Sequence, residues 1–154
     1  MRIRKKYLKI FVSACLLGEN CKYSGGNNYS EAVKKYVEGH DVISMCPEVE
    51  GGLSIPRTPA EIVDGVVTTR DGVSVDREFR SGAKKILDIL LDEKVELAIL
   101  QSRSPSCGVG KIYDGSFSGR LIEGNGVFAK LLMDNGIKVI DCEELEEIIV
   151  TTRI

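Results

Sequence analysis

The sequence predicts an α/β protein: an open, mostly parallel sheet with flanking helices, Rossmann-like in plan, carrying a small β-hairpin insertion. Three observations predict it. Four short apolar runs, at residues 8–14, 41–45, 95–100 and 137–140, have the length of buried strands. Segments of helical period lie between and after them, and strand–helix alternation implies right-handed crossovers and parallel pairing. The 154 residues hold no internal repeat, low-complexity stretch or linker, so residues 1–154 are expected to form a single domain.

Each element has its own signal. Residues 8–14 form the first strand, entered from a basic start. Ser30 caps a helix over 31–38 with Val33, Tyr36 and Val37 on one face, and Gly39 ends it. Residues 41–45 are the second strand, after which Pro56 and Pro59 punctuate a loop. Residues 66–69 and 73–75, joined through Arg70-Asp71-Gly72, read as the hairpin. Asp76 caps the clearest helix, where Phe79, Ala83, Ile86, Leu87, Leu90 and Leu91 recur at spacings of three and four. Residues 95–100 are the third strand. A helix over 126–134 turns Phe128, Leu131 and Leu132 inward and closes on Asn135-Gly136. Residues 137–140 are the fourth strand, and 143–150 a last short helix.

Composition narrows the function classes. With 43% hydrophobic and 29% charged residues the chain is ordinary globular material, which excludes wholesale disorder. A chain of this length buries roughly 68–70% of its unfolded surface, enough for a core without disulfides. A net charge of −2 gives no general attraction to a nucleic-acid polymer or an anionic membrane. The absence of Trp and an aromatic share of 6% weaken any base-stacking surface. No apolar run approaches the ~20 residues of a membrane span. The basic start and the small residues before Cys15 resemble a lipoprotein signal, but Lys9 interrupts the apolar stretch and leaves less than the ~7–15 residues such a signal needs. The expected location is therefore cytoplasmic.

Five cysteines in a reducing compartment do not read as a disulfide framework. Three of them follow apolar strands: Cys15 after Phe11-Val12-Ser13-Ala14, Cys46 after Val42-Ile43-Ser44-Met45, and Cys107 in the loop after Ala98-Ile99-Leu100. The carboxyl ends of strands in an open parallel sheet share one edge, where ligands bind. Three thiols from distant segments are thus expected at one site. Thiolates suit zinc, copper(I) or iron–sulfur clusters. Structural zinc favours close pairs such as C-x-x-C, which this chain lacks, and His40 stands at the start of a strand, away from that edge. A cluster held by three cysteines would leave one iron open as a Lewis acid. Spacing alone leaves both such a site and three unrelated buried thiols open. Glu48, in Cys46-Pro47-Glu48, offers a general base beside a thiol. The hydroxyl-rich loop from Gln101 to Gly108 can position a ligand or simply cap a helix. Its end, Ser106-Cys107-Gly108-Val109-Gly110-Lys111, fails the phosphate-loop pattern because Pro105 replaces the first glycine and Ile112 follows the lysine.

Together, Ser13-Ala14-Cys15-Leu16-Leu17-Gly18, Cys46-Pro47-Glu48, Gly51-Gly52, Pro56-Arg57-Thr58-Pro59-Ala60-Glu61, the block from Ser102 to Gly108 and Tyr113-Asp114-Gly115 resemble the thiouracil desulfurase family. The likeness runs from about Ile10 to Ile140. It implies an oxygen-sensitive four-iron four-sulfur (4Fe-4S) cluster on Cys15, Cys46 and Cys107, with one iron free. It further implies Glu48 as acid–base carboxylate and Ser104 as active-site serine. The implied reaction is non-redox: water replaces the sulfur of a thiolated pyrimidine such as thiouracil, and the free iron accepts that sulfur before it leaves as sulfide. The implied partner is a small thiolated nucleobase.

The chain departs from the family at Lys22-Tyr23-Ser24-Gly25, where members often carry an arginine and an aspartate. Cys21 is either a fourth ligand, which would close the site, or a bystander, and the need for an open iron favours the bystander. Cys142 reads as structural. Arg57 either reaches substrate or fixes its loop. The competing function is a structural or sensing module in which a cluster or zinc holds the loops without turnover. A thiol redox protein using Cys15 and Cys21 lacks the C-x-x-C context.

Overall fold

The computed structural model describes residues 7–152, so the basic start at residues 1–6 lies outside the described residues. Apolar side chains alternate along the two central strands, and this alternation sets the architecture. In β1 (Lys9–Ser13) Ile10 and Val12 face one side and Phe11 the other; in β5 (Leu97–Leu100) Leu97 and Ile99 oppose Ala98 and Leu100. Both strands are buried on both faces, as parallel strands must be. The sheet is completed by β2 (Asp41–Met45) and β8 (Lys138–Asp141) in the order β2-β1-β5-β8, every pairing parallel. In sequence order, the chain steps to one side of β1 to lay down β2 and to the other to lay down β5. That reversal opens a crevice at the carboxyl ends.

Helices cover both faces. On one, α1 (Glu31–Val37) and α5 (Cys142–Thr152) meet over Ile10, Val12 and Ile99 through Val33, Val37 and Leu145. On the other, α3 (Asp76–Asp92) and α4 (Val127–Asp134) bury Phe79, Ile86, Leu90, Phe128 and Leu132, and Phe128 meets the Phe11 ring edge-on at 5.3 Å. Burying each such side chain contributes about 1.5–3 kcal/mol. Ser30 caps α1 as expected, its hydroxyl accepting the Val33 N–H.

The hairpin insertion is present but built from different residues. The partner of β4 (Val66–Thr69) is β3 (Ala60–Val63), joined by Asp64-Gly65, both at positive φ. Asp-Gly is the stronger hairpin turn, because both positions tolerate that conformation. Residues 73–75 reach β4 only through a bridge between Ser74 and Thr68. A second hairpin, β6 (Lys111–Tyr113) with β7 (Leu121–Glu123), lies in a segment where no strand was expected. Two details of α3 also differ. Asp76 is the first residue of the helix rather than its cap; it accepts the Val67 N–H, which ties α3 to β4, and pairs with Arg80 one turn along its own helix. Leu91, expected inward with Leu90, is 46% exposed at the edge of the apolar stripe, whereas Leu90 is fully buried as expected. No helix among the described residues is long and apolar enough to cross a membrane.

Candidate active site

Three loops leave the carboxyl edge of the sheet and converge on one cavity of about 430 Å³. The first continues β1 as a 3₁₀ turn, Ala14–Leu17, which carries Cys15 and ends on Gly18 at φ 97°. The second follows β2, where Cys46 leads into α2 (Pro47–Glu50), a helix too short for its sequence to announce. The third follows β5 and carries Ser104, Ser106 and Cys107. Cys15, Cys46, Cys107, Glu48 and Ser104 all line this cavity, as do Cys21 and Arg57. Cys142 is not among its lining residues, and His40 lies at the opposite end of the sheet, accepting the Leu8 N–H at 3.0 Å.

Glycines hold these loops at close quarters. α2 packs against α3 backbone to backbone: a Cβ at Gly82 would strike the Pro47 carbonyl, and one at Gly51 the Glu78 carbonyl. That contact fixes Glu48. The first-turn N–H groups of α4 at Val127 and Phe128 donate at 2.8 Å to the carbonyls of Pro105 and Ser106. Helix-end donors that would otherwise lack partners thereby anchor the serine loop.

The four cavity thiols are mutually engaged. Cys21 lies beside Cys15 and Cys46: the Cys46 S–H donates to its carbonyl at 3.9 Å, and the two neighbouring thiols are the main reason its own is pushed far up. The Cys21 thiol in turn lowers Cys15, against the opposing effect of burial and with help from Asn28, whose Nδ2 lies 3.4 Å from the sulfur. It also lowers Cys46 to about 7, burial opposing and the Val49 and Glu48 N–H groups assisting. Burial pushes the Cys107 thiol up, while Ser13 and Ser106 pull it down. Lowered thiols are those poised to become thiolates, the form that binds metal.

Glu48 stands at the centre of the polar half. Its Oε1 accepts from Arg57 Nε at 3.1 Å and its Oε2 from Ser106 Oγ at 2.8 Å. The Arg57 and Glu48 side chains are only 8% and 17% exposed. Arg57 also donates to the Cys21 carbonyl at 2.8 Å and the Ser54 carbonyl at 3.1 Å, so it both fixes its loop and clamps the carboxylate. Ser104 and Ser106 hydroxyls lie 2.9 Å apart. A hydroxyl has one hydrogen. With that of Ser106 given to Glu48, Ser104 must donate to Ser106. Ser104 in turn accepts the Ser106 and Cys107 N–H groups at 3.1 and 3.0 Å. The result is one chain of hydrogen bonds, Ser104 to Ser106 to Glu48. Ser106 had no assigned role in the sequence reading. Its signal was the doubled hydroxyl in Ser104-Pro105-Ser106, but the carboxylate it meets is 58 residues away.

The donor set fits an iron–sulfur cluster. Four soft thiols reach the cavity from three separate loops, Cys15 and Cys21 from the first, Cys46 from the second and Cys107 from the third, beside free volume. Thiolates are the donors that iron–sulfur clusters take.

Comparison with known proteins agrees with this chemistry. The profile described as 2-thiouracil desulfurase matches residues 10–144. The chain belongs to the 2-thiouracil desulfurase family. It is 40% identical over 150 residues to the uncharacterized protein YbbK of Bacillus subtilis (strain 168), the match covering 91% of this chain and 99% of that one. A solved structure described as the 4Fe-4S-dependent thiouracil desulfidase TudS superposes with a TM-score of 0.85 at 38% identity, covering 95% of this chain and 98% of that one. Family membership thus rests on nearly the whole chain and includes all three loops of the cavity.

Proposed function

We propose that the chain is an iron–sulfur-dependent desulfurase, residues 1–154 working as one domain in the cytoplasm. It removes sulfur from a thiolated pyrimidine base such as thiouracil and releases it as sulfide. The observation that carries this reading is the meeting, in one cavity, of four soft thiols and a largely buried carboxylate wired to two serines. The solved relative's description as 4Fe-4S-dependent and acting on thiouracil supports the same cofactor and substrate class.

Cys15, Cys46 and Cys107 would hold a 4Fe-4S cluster through three thiolates. When bound, it supplies a soft Lewis acid at an open iron, matched to the thiocarbonyl sulfur. Cys21 stays outside the ligand set. Its carbonyl instead anchors Arg57, accepting from the guanidinium at 2.8 Å.

The chain's own residues carry the protons. Glu48 accepts a proton from the attacking water, held for that task by Arg57. Once protonated, Glu48 no longer accepts from Ser106 but donates to it through Oε2. The hydrogen-bond chain then reverses: Ser106 donates to Ser104, which gives up one of its two backbone N–H partners and presents its hydrogen to the cavity. The water's proton is in this way returned to the departing sulfur or to a ring nitrogen. Ser104 is the half-buried, cavity-side end of the chain, and Ser106 its buried link.

The test is sulfide release from 2-thiouracil by protein loaded with iron and sulfide without oxygen. Wild type should release sulfide and uracil in equal amounts. Glu48→Gln should keep the cluster and lose turnover. Cluster-loaded wild type that releases no sulfide would instead establish a structural or sensing module.

A further inference from the structure

Two hairpins from unrelated parts of the sequence are clasped together at the cavity by one carboxylate. Glu61, on β3, accepts the Gly115 N–H at 3.0 Å and the Phe117 N–H at 3.1 Å through the same oxygen, Oε1. Gly115 and Phe117 belong to the loop between β6 and β7. Gly115 stands at φ 93°, and a Cβ there would press on the Ile62 carbonyl, so the two hairpins approach backbone to backbone. Phe117 is held at φ 57°, a left-handed conformation that a residue with a bulky side chain rarely adopts. Glu61 and Phe117 both line the cavity.

We propose that Phe117 covers the substrate, stacking on one face of the bound pyrimidine ring, and that Glu61 is the positioning residue that holds it there. This rests on the desulfurase reading of the cavity. A flat ring whose sulfur points at an iron still needs its faces defined, because a carbonyl carbon is attacked from above or below the ring plane. An apolar cover on one face leaves the other to water. The other aromatic residues of the cavity suit this less. Tyr23 carries the Lys22 ammonium 5.9 Å from its ring centre and is 47% exposed, and Tyr113 lies beside the Arg103 guanidinium, whose charge it favours. Among the described residues Phe117 has no ring or cation contact.

The test measures binding of uracil and 2-thiouracil to anaerobic, cluster-loaded protein by calorimetry. Stacking of a base on an aromatic side chain predicts that Phe117→Ala weakens binding about 5- to 150-fold. Iron content and melting temperature check that the fold is kept. Glu61→Ala should weaken binding as much, and Glu61→Gln should restore it, since an amide oxygen can accept the same two N–H groups. The double variant should lose no more than Phe117→Ala alone, because Glu61 acts only through Phe117. Amide hydrogen exchange at Gly115 and Phe117, which needs no cluster, should quicken in Glu61→Ala. If wild type binds the bases and Phe117→Ala binds them equally well, the cover assignment is wrong while the desulfurase reading stands. If wild type binds neither base, both are wrong.

Discussion

Cys107 and Cys142 are buried to the same degree, each 4% exposed, yet they sit in different chemistry. Cys107 lies in the loop after β5, its sulfur facing the cavity and close enough to Cys15 and Cys46 for their charges to act on it. Cys142 opens α5 outside that cavity, its sulfur 3.4 Å from the Ser102 hydroxyl and 3.9 Å from the side-chain amide oxygen of Gln101. Burial pushes both thiols up. Burial therefore does not distinguish a thiol that lines the cavity from one that packs the core; its neighbours do.

The largest effect that separates the two regions is expected from Cys46→Ala. It should abolish iron retention and sulfide release, since two thiolates cannot anchor a cluster that needs three. Glu48→Gln comes next, lowering kcat about 10²- to 10⁴-fold with iron content intact, as loss of a general base does. Arg57→Ala strips a buried carboxylate of its cation and should cost about 3–5 kcal/mol of folding stability, read as a fall in denaturant midpoint. Ser106→Ala breaks the link between Glu48 and Ser104 and should lower kcat about tenfold or more, with a diminished solvent isotope effect and normal iron content. Cys142→Ala should be the mildest, keeping iron and turnover and costing about 1 kcal/mol, a typical figure for a point substitution.

Much of this was legible in the sequence, and for identifiable reasons. Strands of four or five apolar residues and helices with three-to-four spacing announce themselves locally. So do thiols placed just past strand ends, because a parallel sheet puts those ends on one edge. Local signals also misled. Arg70-Asp71-Gly72 looked like the hairpin turn, whereas Asp64-Gly65 makes the tighter one. Leu91 matched the helical period but falls on the edge of the stripe and stays exposed. The links that organise the site were out of reach altogether. Glu48 with Ser106, and Glu61 with Gly115 and Phe117, join residues more than fifty positions apart. No periodicity encodes such pairs; they exist only once the loops have been brought together. The motif blocks marked the right loops without showing which side chains in them touch.

The central claim is that Cys15, Cys46 and Cys107 together hold one iron–sulfur cluster. Its most direct test is the iron and sulfide content, with the visible spectrum, of wild type reconstituted without oxygen, set beside the variant with all three cysteines changed to alanine. The account predicts a brown wild type with about four irons and four sulfides per chain and a colourless variant. A variant that binds as much iron as wild type would contradict it.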